Sequence, residues 1–135
     1  MGRSLWRKIK KGLLIIRDFL SDFFTTPWFF YDPRYKINGL KWTVHKNDVD
    51  PYPSIPHMHA KEKPYVLNIY DGSVYDKINR KYVSSITKKD LKNIWEDEKM
   101  FELIMFNRDN YSNKNELPKL PHYADKLINR LIGSV

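Results

Sequence analysis

The sequence predicts an α+β domain in which a small antiparallel sheet of three to four strands packs with about three helices. Three observations carry this expectation. Apolar residues recur at helical spacing over residues 4–24 and 88–108. Short β-rich runs lie between them, and Asp71-Gly72 stands between two such runs as a preferred hairpin turn. With 135 residues, 41% hydrophobic and 15% aromatic, the chain suits one domain over 1–135 whose core leans on Tyr, Phe and Trp.

The elements follow in order. Residues 4–24 read as a basic amphipathic helix, with Ser4 as N-cap and Leu5, Trp6, Ile9, Leu13, Ile16, Leu20 and Phe23 on one stripe. A secretory signal is not expected there, because Arg17 and Asp18 interrupt the apolar run and no small-residue cleavage site follows. Such a stripe packs on the rest of a small domain, or docks a protein partner or membrane surface. Residues 25–86 form a proline-rich loop region followed by the small sheet. Six of the eight prolines fall at 27, 33, 51, 53, 56 and 64, so much of 25–64 is expected to be irregular. Leu40–His45 reads as a strand with Trp42 and Val44 on one face and Lys41, Thr43 and His45 on the other. Tyr65–Tyr70 and Ser73–Lys77 are the arms of a hairpin closed by the two-residue Asp71-Gly72 turn, and residues 81–86 add a further strand.

Residues 87–135 hold two helices. Thr87 and Asp90 make a capping-box pattern that opens a helix to about Arg108, with Leu91, Ile94, Trp95, Phe101, Ile104 and Met105 inward. Glu96, Asp97 and Glu98 read as a solvated acidic patch on it. A polar linker over 109–118 leads to a last helix from about Pro121 to Ile132, stopped by Gly133. The stretch Trp28, Phe29, Phe30, Tyr31, Arg34, Tyr35 and Lys36 reads chiefly as core, although aromatics among cations also suit stacking on single-stranded nucleic acid.

Charge narrows the class of partner. The formal net charge is +8 with a pI near 9.6. Half of that excess lies in residues 1–25, where six cations face two carboxylates. Such clustering points to an anionic partner, RNA or DNA. The cations expected to meet phosphate are Arg3, Arg7, Lys8, Lys10, Lys11, Lys41, Lys61 and Lys63. With no cysteine the chain has no disulfide, no thiolate metal ligand and no thiol nucleophile, which fits a cytoplasmic setting. No apolar run reaches the length of a transmembrane helix.

One segment carries chemistry. Three of the four histidines, His45, His57 and His59, fall within 15 residues together with Asp48 and Asp50. His-x-His in an extended segment puts both rings on one side, about 6.5–7 Å apart along the backbone. Two uses follow. In metal-free phosphodiester cleavage one imidazole acts as base and another as acid while a cation stabilises the phosphorane; no cofactor is then needed. Alternatively His57 and His59 share a single divalent metal, with His45 or an aspartate as third ligand. The bland counterpart is a histidine pair that only braces a proline-rich loop. His122, at the start of the last helix, stands apart from the cluster. Phosphate-binding loops, H-E-x-x-H and G-x-S-x-G are absent. The expectation is a small basic protein acting on nucleic acid, ribonuclease-like, of the kind used as a toxin or host-conflict component, with His57, His59 and His45 as catalytic residues. The other class is a non-enzymatic interaction protein that docks through its first helix.

Overall fold

The structure, a computed structural model, describes residues 30–133 apart from 47 and 49. The expected helix over 4–24, with Arg3, Arg7, Lys8, Lys10 and Lys11, lies outside them. The described chain is α+β, with three α-helices and one antiparallel sheet whose six strands are neighbours in sequence order. The strands are β1 Phe30–Tyr31, β2 Trp42–His45, β3 His57–Ala60, β4 Tyr65–Asn68, β5 Ser73–Asp76 and β6 Tyr82–Ser85. The expectation of three to four strands is corrected to six. β1 is only two residues long, and β3 lies in the segment that its prolines marked as loop. Pro51, Pro53 and Pro56 all precede β3, so none removes a ladder donor from it.

β2 behaves as period-two alternation requires. Trp42 and Val44 are buried while Thr43 is half-buried and His45 exposed. β3 pairs with β2 and β4, setting Thr43 opposite His59 and Met58 opposite Leu67. The hairpin between β4 and β5 forms where expected, but its loop is four residues, 69–72, rather than two. Leu67 faces Val74, and the Gly72 amide donates to the Asn68 carbonyl at 2.9 Å. The reason is tertiary. Ile69 is fully buried and its carbonyl accepts the Trp95 indole N–H at 2.7 Å, while the Tyr70 hydroxyl reaches the Ile55 carbonyl at 2.6 Å. These anchors draw both residues out of the strand. Gly72 then turns the chain at φ +79°, a left-handed conformation that glycine adopts freely.

The helices are α1 Lys88–Glu96, α2 Glu98–Asn110 and α3 Asp125–Gly133. Thr87 caps α1, its hydroxyl accepting the Asp90 amide at 3.1 Å. The single helix expected over 88–108 is broken at Asp97, which is extended at φ −77°, ψ 114°. Nor is Asp97 part of a merely solvated patch. Its Oδ1 accepts the Lys99 and Met100 amides as N-cap of α2, and its Oδ2 accepts the hydroxyls of Tyr31 and Tyr35, each at 2.7 Å. α2 buries seven residues, Met100, Phe101 and the run Leu103–Asn107, so it is enclosed over most of its circumference. The core runs from Trp42, Val44, Met58, Leu67 and Val74 of the sheet to Ile94, Trp95, Leu103 and Ile104 of the helices. Of the aromatic stretch, Phe30 is exposed, whereas Tyr31 and Tyr35 are half-buried against α1 and α2 through Asp97. A short 3-10 turn, His122–Ala124, precedes α3 and places His122 on the surface. Among the described residues no helix is long and apolar enough to cross a membrane.

Two outcomes test this frame. A Cβ added at Gly72 would meet Ile86 Cγ1 at 2.9 Å on a left-handed backbone, so Gly72→Ala should cost roughly 1–2 kcal/mol in urea unfolding. Burial and then Asp97 push the Tyr31 and Tyr35 hydroxyls well above the ordinary tyrosine range. Because these folded pKa values are raised, the associated stability is full below about pH 10 and falls as pH rises toward them. Asp97→Asn keeps a capping side chain but removes the charge. It should therefore start alkaline phenolate formation at lower pH, while Asp97→Ala should lose a further ~1 kcal/mol for the cap.

Candidate functional site

β3 builds the site. As a central strand it must present one face to the helices and the other to whatever covers the sheet's second side. Met58 takes the first face, so His57 and His59 share the second, with ring centroids 4.6 Å apart. His45, from the end of β2, brings its ring to 5.0 Å from that of His59. The three histidines singled out in the sequence are thus brought together, His45 at the end of the strand expected there and His57 and His59 on a strand within the proline-rich region.

The chain between β2 and β3 covers this second face. The Asp48 Oδ1 accepts the Asp50 amide at 3.1 Å, and Asp50 Oδ1 accepts the Tyr52 amide at 3.0 Å, so two short side-chain turns fold the segment back. Tyr52 settles against Tyr75 and under the Arg80 guanidinium. Ser54, Ile55 and Pro56 are buried, and the Ser54 hydroxyl donates to the Pro56 carbonyl at 2.6 Å. This path carries Asp48 back onto β3. Its Oδ2 lies 2.9 Å from His59 Nε2 and 3.2 Å from His57 Nε2.

The two imidazoles differ. His57 is 1% exposed, and its Nδ1 lies 3.0 Å from the Ser54 carbonyl. A carbonyl only accepts, so Nδ1 carries a hydrogen. The ring's Nε2 stands within ion-pair range of Asp48 yet makes no hydrogen bond among the described residues. His59 is half-buried and meets Asp48 at a true hydrogen-bond distance. The His57 and His59 nitrogens, in that order, hold the Asp48 carboxyl far below the ordinary carboxylate range, outweighing burial. His45 is held below the ordinary histidine value by desolvation and then by His59.

His45 and His59 open onto a groove of about 650 Å³ that Lys63, Pro64, Tyr65, Lys77 and Ile78 also line. His57 lies beneath and does not line it. Among the expected phosphate-binding cations that the structure describes, only Lys63 reaches this groove. Lys41 is exposed without lining it, and Lys61 pairs with Asp32 instead. Lys77 and the specific role of Asp48 were not singled out by the sequence. Lys77 arrives because its amide donates to the Pro64 carbonyl at 2.7 Å, beyond the last paired residues of β4 and β5. The signal for Asp48 was its short sequence distance from a His-x-His pair across three prolines, which marks a segment able to fold back. No family model, curated protein or solved structure matches the chain, so its functional interpretation rests on this geometry.

Proposed function

We propose that the protein cleaves phosphodiester bonds of RNA in the groove between β2, β3 and the β4–β5 hairpin. One observation supports this above the others: His45, His59, Lys63 and Lys77 line the same groove, and among the described residues no carboxylate lines it. A polyanion entering there meets two cations placed for phosphate and an imidazole placed for proton transfer. His45 accepts the proton of a ribose 2′-hydroxyl as that oxygen bonds to phosphorus. Lys63 and Lys77 stabilise the charge on the phosphorane oxygens. The P–O5′ bond then breaks, and the leaving oxygen takes a proton from a water on the His59 side of the groove, the resulting hydroxide being neutralised by the proton held on His45. The products are a 2′,3′-cyclic phosphate and a 5′-hydroxyl. DNA lacks the internal nucleophile and is bound without being cut by this route. Any contribution of the basic residues before Phe30 adds electrostatic attraction.

Labelled RNA and DNA of matched sequence, incubated with the purified full chain, test the proposal. RNA cleavage should fall by roughly 10²-fold or more in His45→Ala, whose exposed side chain can be removed without opening the core. Lys63→Ala and Lys77→Ala should each weaken RNA binding and flatten its salt dependence by about 0.7 in log–log slope. Cleavage of neither polymer, or His45→Ala as active as the wild type, overturns the proposal.

A further inference from the structure

We infer that Asp48, His57 and His59 form a binding site for one divalent transition-metal ion of the Zn²⁺ class, with its open position toward the groove. Their donor atoms all lie within 4.8 Å of one another. The two edges that meet at Asp48 Oδ2 are 2.9 and 3.2 Å. A tetrahedral ion with bonds of about 2.0–2.1 Å has ligand–ligand edges of about 3.3–3.4 Å, so it fits once the two edges at Asp48 open slightly and the edge between the imidazole nitrogens, at most 4.8 Å, settles to the same length.

The decisive group is His57. Its side chain is 1% exposed, and its Nδ1–H is committed to the Ser54 carbonyl, which fixes the tautomer in the way an outer partner fixes a metal-bound histidine. The remaining nitrogen, Nε2, is a buried atom with no hydrogen-bond partner among the described residues, and it lies 3.2 Å from Asp48 Oδ2. Two such atoms attract each other only when a cation, a proton or a metal ion, stands between them. The Asp50 amide holds the other oxygen of Asp48, which leaves Oδ2 as the one directed at the cluster. Two imidazoles and one carboxylate suit Zn²⁺, Co²⁺, Ni²⁺ or Fe²⁺ and disfavour Mg²⁺ and Ca²⁺, which prefer all-oxygen shells. Asp48 and His59 keep 16% and 18% exposure, so the uncommitted positions of such an ion look outward. His45 is not among the three donors and stays available for proton transfer beside them. A metal-bound water, acidic near neutrality, would then supply the proton required on the His59 side of the groove.

The cluster alone defines this site, independently of the phosphodiester proposal, and its test reads binding directly. The full chain is stripped with chelator, dialysed and titrated with Co²⁺ by visible absorption and with Zn²⁺ by calorimetry. One equivalent should bind with micromolar or tighter affinity, and Co²⁺ should give the intense bands of low-coordinate geometry. Asp48→Asn and His59→Gln should each weaken binding by at least 10-fold while circular dichroism shows the fold retained. His59→Gln is the safer variant because that side chain is half-exposed. Absence of saturable binding by the wild type, or undiminished affinity in both folded variants, overturns the inference. So does a doubly protonated His57 ring, read from its ¹⁵N shifts, that ignores added Zn²⁺; an imidazolium then occupies the place assigned to the ion. Metal binding without RNA cleavage leaves the site standing and removes the proposed reaction. Chelator-insensitive cleavage without metal binding does the reverse.

Discussion

Everything about the site depends on a single constraint, the two-sided burial of β3. A strand paired on both edges satisfies its backbone through its neighbours, so its side chains decide what each face of the sheet becomes. Met58 on the helical face is fully buried, as an apolar side chain there should be. His57 on the other face is nearly as buried, and a polar ring there costs about 1–3 kcal/mol for each unpaired group. The segment from Asp48 to Pro56 supplies one partner, the Ser54 carbonyl, and brings Asp48 to the second nitrogen. The residues of the candidate site and those that make the strand tolerable are therefore the same.

The position of that segment is set from the helical layer rather than locally. Trp95 in α1 donates to the Ile69 carbonyl, Tyr70 donates to the Ile55 carbonyl, and Arg108 in α2 donates both to the Tyr70 hydroxyl and to the Pro118 carbonyl. Ser54 in turn accepts the Ile69 amide at 3.4 Å, the longest contact of the set. A continuous series of hydrogen bonds thus runs from both helices through the β4–β5 loop to the residues beneath His57. Asp97 does comparable work at the opposite edge, where one carboxylate caps α2 and holds Tyr31 of β1 and Tyr35. Groups fixed from a packed core lose little freedom when they engage a ligand, which is what a pre-formed site requires.

How much of this was legible in the sequence follows from how local each determinant is. The apolar faces of β2 and of residues 88–108, the Thr87 cap and the place of the β4–β5 hairpin were readable, because each depends on residues within one or two turns of chain. β3 was not, since H-M-H-A lacks β-branched residues and sits behind prolines, and its extended state comes from pairing on both sides. The four-residue loop was hidden for a similar reason: the pull on Ile69 and Tyr70 comes from Trp95 and Ile55. That difference matters at the site. A two-residue turn would set Tyr70 opposite Ser73 and Lys77 opposite Val66, whereas the observed register carries Lys77 on to Pro64 and into the groove. The break at Asp97 needed knowledge of Tyr31 and Tyr35, more than 60 residues away.

The histidines were legible as a group because spacing in an extended segment is local; their division of labour was not, because it is made by burial. His57 is committed on one nitrogen and enclosed, His59 bridges interior and surface through Asp48, and His45 stands at the rim. The Asp48 carboxylate lies against both imidazoles at 16% exposure, close to the 18% of His59. Lys63 and Lys77 line the groove onto which His59 opens, and no carboxylate is among its described lining residues. An anion in the groove touches Lys63 and Lys77 directly, whereas Asp48 does not line it, and within a Debye length of about 8 Å the placement of these charges matters as much as their sum. A bracing role for the histidine pair explains why His57 is hydrogen-bonded and buried. It does not explain why His45 and His59 share a groove with Lys63 and Lys77 that no carboxylate lines among the described residues.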